Sequence, residues 1–137
     1  RTLYKEGTYT REEQELIRKH VEIGFELVVP IGLPHRVASI IRNHHELYNG
    51  SGYPDKLKGE EIPFLTRIVT IAEFLDAMLT DRPYRKALSL DQIKNEFKRC
   101  SGIQFDPDLV ERLLAIIKER GEKILPRHLP TIRPLNA

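Results

Sequence analysis

An all-α fold, a bundle of about five helices, is the class this sequence predicts, and three observations predict it. Apolar residues recur three and four apart in five blocks, and no sustained period-two run of β-branched and aromatic residues interrupts them. Capping residues, prolines and glycines fall where such helices should begin and end. The length of 137 residues suits one domain, and 40% apolar against 31% charged residues is globular composition.

Thr10 and Glu13 form a capping box, after which Leu16, Ile17, His20, Ile23, Gly24, Leu27 and Val28 trace a stripe up to Pro30. Pro34 suits the start of a short second helix carrying Val37, Ile40, Ile41 and His44. The run Asn49-Gly50-Ser51-Gly52-Tyr53-Pro54-Asp55 is turn chemistry and predicts a loop. A third helix begins near Pro63, buries Phe64, Ile68, Ile71, Ala72, Leu75 and Leu79, and stops near Asp81 because Pro83 follows. Ser89 and Gln92 cap a fourth helix with Ile93 and Phe97 inward. Asp106 caps a fifth, with Pro107 first, Leu109, Val110, Leu113, Leu114 and Ile117 inward, and Gly121 as its stop. The domain is therefore expected over 1–121, and 122–137, with Pro126, Pro130 and Pro134, as an extended or partly disordered tail.

Composition narrows the function. One cysteine, Cys100, excludes an internal disulfide and a thiolate metal site and suits a reducing compartment. No stretch approaches the roughly 18 apolar residues of a membrane span, nothing at the start resembles a signal peptide, and a cytoplasmic location is expected. Twenty-two basic against twenty acidic residues, a net charge of +2, argue against a nucleic-acid polymer as partner.

The chemistry-bearing residues lie in two groups. His20 and His44 project from apolar stripes, and His45 follows where the second helix should loosen. Glu73 and Asp76 share one face of the third helix, with Asp76 between Ala72 and Leu79. Three histidines and two carboxylates facing inward suit a metal centre of iron, manganese, zinc or nickel. The bland reading of each histidine is a core residue bonded to a backbone carbonyl. The second group, Arg82, Arg85 and Lys86 beside Tyr53 and Tyr84, suits a phosphate-bearing ligand with a stacked base. A solvated basic turn at a helix C-terminus is its alternative.

Read in order, His44-His45-Glu46, Asn49-Gly50-Ser51-Gly52-Tyr53-Pro54, Gly59-Glu60-Glu61-Ile62-Pro63, Asp76-Ala77, Asp81-Arg82-Pro83-Tyr84-Arg85 and Gln104-Phe105-Asp106-Pro107 resemble an HD-GYP domain over roughly residues 3 to 117. The resemblance implies an HD-superfamily helical fold and a bacterial signal-transduction phosphodiesterase that hydrolyses cyclic-di-GMP with a divalent-metal cluster, iron or manganese being the expected ions. It places metal ligands on His20, His44, His45 and Glu73, where Glu stands for the usual Asp, with Asp76 as the fallback ligand. It places phosphate contacts on Arg82 and Arg85, and gives Gly52-Tyr53-Pro54 the role of lining the site or meeting a signalling partner domain. The family's His-Asp dyad, its lysine and an earlier helix bearing another ligand have no counterpart from residue 1 onward, so no catalytic residue is identified in this chain. Two readings stay open: a fragment supplying the metal-binding and phosphate-binding half of an enzyme, as Arg1 in place of Met suggests, or a catalytically silent module that binds the dinucleotide or a signalling domain.

Overall fold

The computed structural model describes residues 10–124 except 82 and 84. Its five α-helices are α1 (Arg11–Val28), α2 (His35–Asn43), α3 (Phe64–Leu79), α4 (Leu90–Cys100) and α5 (Pro107–Arg120). Short 3-10 turns follow α1 at Val29–Ile31, precede α3 at Gly59–Glu61 and follow α5 at Gly121–Ile124. Among the described residues no strand forms; an isolated bridge joins Ser101 and Phe105.

Local chemistry explains the boundaries. Thr10 and Glu13 exchange backbone and side-chain hydrogen bonds at the start of α1 (2.8 and 3.2 Å), and Ser89 and Gln92 do so at α4 (2.9 and 3.2 Å). Asp106 accepts from the Asp108 N–H at 2.9 Å, with Pro107 at the first helical position of α5. Gly121, at φ 53°, ends α5. The tail expected from residue 122 begins with the 3-10 turn through Ile124, and 125–137 lie outside the described residues.

The core lies between α3, α4 and α5: Ile71, Met78, Ile93, Phe97, Cys100, Phe105, Val110 and Ile117 are buried together. Phe105 meets Phe74 edge-on and Phe97 at a tilt, both with centroids 4.9 Å apart. Arg67 in α3 pairs with the buried Asp106 at 2.6 Å and donates to the Ile62 carbonyl, fixing the start of α5 against α3. Helices α1 and α2 pack on each other and α2 on α3, with Val21, Ala38 and Ser39 buried and Gly24 passing close to Ile41.

Three faces depart from the sequence expectation; in α2 the buried residues are Ala38, Ser39 and Asn43, whereas Val37 of the expected stripe is exposed. In α3 the buried residues are Thr66, Thr70, Ile71, Ala77 and Met78, whereas Phe64 is 55% and Ile68 40% exposed. This helix is apolar on more than one side, so periodicity could not choose which side meets α4 and α5. Thr70 tolerates burial because its hydroxyl donates to a carbonyl within reach, those of Thr66 (3.0 Å) and His44 (3.1 Å). In α1 the predicted stripe is really two: Ile17, Val21, Gly24 and Val28 turn inward, while Leu16, His20, Ile23 and Leu27 turn outward.

Two substitutions separate these faces. Phe97→Ala, in the core, is expected to cost about 3–5 kcal/mol, whereas Leu27→Ala, on the outward stripe, should change stability by no more than ~0.5 kcal/mol. Urea unfolding of both variants measures the difference.

Candidate metal and phosphate site

His44 caps the C-terminus of α2, and His45 follows where the helix has ended. This break lets neighbouring rings converge: their centroids lie 4.1 Å apart at 43°. The His44 Nδ1–H donates to the carbonyls of Ile40 and Ile41, both at 3.0 Å. In the neutral ring that leaves the lone pair on Nε2. The carbonyl bond expected of a plain core histidine is thus present, and it is also the bond that orients an imidazole as a ligand. Burial pushes His45 down to about 4, and the neighbouring His44 adds to the shift, so this ring is neutral at neutral pH.

Beyond the pair the chain turns around Glu46, whose side chain is 1% exposed. One carboxylate oxygen accepts from the Asp55 N–H at 2.7 Å and the Asn43 amide at 3.4 Å; the other accepts from the Leu57 N–H at 3.1 Å. Asp55 receives a two-pronged Arg42 guanidinium at 2.8 and 2.9 Å and the Asn43 amide at 2.8 Å. Those hydrogen bonds, the Arg42 one foremost, hold the Asp55 carboxyl below its ordinary range against a smaller opposing effect of burial. Gly52 presses so closely on the backbone of His45, Glu46 and Leu47 that a Cβ there has no room. The loop then lays the Tyr53 ring on His45, 5.1 Å between centroids at 15°. Its first residues are tied to the α4–α5 connection by Tyr48 and Asn49 N–H groups donating to the Gln104 and Ile103 carbonyls, at 3.3 and 2.9 Å.

The remaining sequence-predicted residues fall elsewhere. His20 is exposed on the outward stripe of α1, its Nδ1–H donating to the Leu16 carbonyl at 2.7 Å. Glu73 and Asp76 are exposed on α3, and so is Ala72; the apolar, inward setting expected for Asp76 is not formed, because α3 is rotated from the expected face. Among the described residues no three His, Cys, Asp or Glu side chains group closely enough to hold a metal ion. Arg85 donates to the carbonyls of Ala77 (2.8 Å) and Lys86 (2.7 Å), satisfying backbone at and just after the end of α3. Lys86 is exposed. Arg82 and Tyr84 lie outside the described residues. Glu46, Arg42, Asn43 and Asp55 carry no role in the sequence expectations; the signal for Glu46 is an acid directly after a histidine pair at the mouth of a glycine-rich loop.

The HD domain family model matches residues 1–109. The chain belongs to the HD domain family. It is 39% identical over 121 residues to a cyclic di-GMP phosphodiesterase of Thermotoga maritima, covering 87% of this chain and 33% of that protein. It is 41% identical over 116 residues to a cyclic di-GMP phosphodiesterase response regulator of Xanthomonas campestris, covering 82% and 30%. The crystal structure of a cyclic GMP-AMP-specific phosphodiesterase from Vibrio cholerae superposes with a TM-score of 0.68 at 29% identity, covering 80% of this chain and 25% of that one. This HD domain chain thus spans about a third of the length of the two relatives. Among the described residues no helix is long and apolar enough to cross a membrane.

Two outcomes test the site's construction. Gly52→Ala should cost about 1–3 kcal/mol or more through overpacking, read by thermal melting. His45 binds its proton less readily when folded than when unfolded, so it contributes stability that is complete above its ordinary value of 6.5. That contribution is lost as pH falls from there toward about 4, and removing it in His45→Gln should flatten the stability profile across this window.

Proposed function

We propose that this chain supplies the metal-binding and phosphate-binding half of a cyclic-dinucleotide phosphodiesterase, with cyclic-di-GMP as the substrate. The observation that carries the reading is the imidazole pair: the rings converge with centroids 4.1 Å apart, the His44 carbonyl bonds use Nδ1 and so leave Nε2 as its donor atom, and His45 is neutral. HD-domain phosphodiesterases are generally metal-dependent, and iron or manganese suits imidazole and carboxylate donors.

The fit of a metal to the described residues is partial. The pair accounts for two donors, and His20, Glu73 and Asp76, the other proposed ligands, are exposed rather than gathered with it. The reading therefore needs further elements to complete the coordination, and no catalytic step is assigned to this chain alone. The outward stripe of α1 supports the need: Leu16 is 56%, Ile23 53% and Leu27 67% exposed, and His20 stands among them. We assign that stripe to helices of the same, longer polypeptide, in keeping with relatives about three times the matched length. Tyr53 would offer an aromatic face to a base, and Arg82 with Arg85 would meet phosphate.

A second reading, a catalytically silent module that binds the dinucleotide or a signalling domain through the 52–54 loop, is favoured by one observation. Arg85 is engaged with the Ala77 and Lys86 carbonyls. Calorimetry with cyclic-di-GMP beside a turnover assay supplied with manganese or iron separates the two in the full-length protein. The enzyme reading expects product, and expects His44→Ala to abolish bound metal and hydrolysis together. Tight binding without product supports the silent module, and undiminished hydrolysis by His44→Ala refutes the ligand assignment.

A further inference from the structure

Glu46 is an acid among the most buried of the described side chains, and among the described residues each hydrogen bond to its carboxylate comes from a neutral N–H group. Two of the donors are backbone groups of the far limb of the loop, Asp55 and Leu57, nine and eleven residues on. Neither donor belongs to a helix or strand, so the loop must close around the carboxylate to present them. Between the anchored ends sit Gly52, pressed on the backbone of residues 45–47, and Tyr53, stacked on His45. Arg42 reaches this hub by hydrogen bonds through Asp55 and, without a hydrogen bond, by its charge on Glu46.

We propose that Glu46 is a positioning residue: its buried carboxylate closes the 49–57 loop and, through Tyr53, sets the orientation of the His45 ring. The placement stands on the hydrogen bonds alone, while its consequence for metal affinity rests on the function proposed above. Glutamine keeps the reach and one acceptor oxygen, so it should hold the Asp55 N–H and lose the Leu57 one. Aspartate keeps the charge but withdraws it by one methylene, and alanine removes it.

Nuclear Overhauser contacts between the His45 and Tyr53 rings, recorded with those between Phe97 and Phe105 as an internal control, read the two regions separately. In Glu46→Ala the ring contacts of the loop should disappear while the core contacts persist, and Glu46→Gln should retain both. Loop contacts preserved in Glu46→Ala would overturn the proposal. Should that variant fail to fold, a folded Glu46→Asp that has lost the His45–Tyr53 contacts supports it, and one that retains them, or loses the core contacts, overturns it. Manganese titrations of the full-length protein add the functional arm, with Glu46→Ala expected to weaken binding roughly 10–100-fold and Glu46→Gln to restore most of it. Absence of manganese binding by the unmodified protein would defeat the metal-centre reading and leave the ring contacts to decide the role of Glu46.

Discussion

The structure around the histidines depends on one carboxylate being kept out of water and hydrogen-bonded at both oxygens. A buried acid without partners is strongly unfavourable, so the backbone that supplies N–H groups to Glu46 is held in place by the same free energy that would otherwise oppose burying the charge. That requirement gives the loop of 49–57 a defined shape although it contains no regular element. It also explains Gly52, since closing the loop brings its Cα against the backbone of residues 45–47.

From there the constraint passes outward in two directions. Toward the core, Tyr48 and Asn49 hydrogen-bond the α4–α5 connection, and the Thr70 hydroxyl of α3 reaches the His44 carbonyl. The imidazole pair thereby inherits its position from the Phe97–Phe105 core. Toward solvent, the loop lays Tyr53 on His45, helping to remove that ring from water and favour its neutral form. Orientation and protonation state are thus set by the same fold of the chain.

Much of this was legible in the sequence where the signal is local. The capping boxes at Thr10 and Ser89, the Asp106-Pro107 start and the Gly121 stop are short-range chemistry and stand where they were expected. What periodicity could not decide is which side of a two-sided helix is covered. In α3 the buried side carries Thr66 and Thr70 rather than Phe64 and Ile68, and in α1 the stripe bearing His20 faces outward. The same ambiguity misplaced Asp76, whose apolar neighbours in sequence are not its surroundings in space. Glu46 escaped because its partners are backbone groups nine and eleven residues away, which no side-chain spacing announces.

His44 and His45 form one preorganised pair of nitrogen donors within this HD domain chain. Paramagnetic broadening of the histidine ring resonances during manganese addition to the full-length protein tests this pairing. His44 and His45 should broaden together at the lowest additions, with His35, at the start of α2, unaffected. Broadening that begins at His35, or that reaches one member of the pair and spares the other, would contradict it.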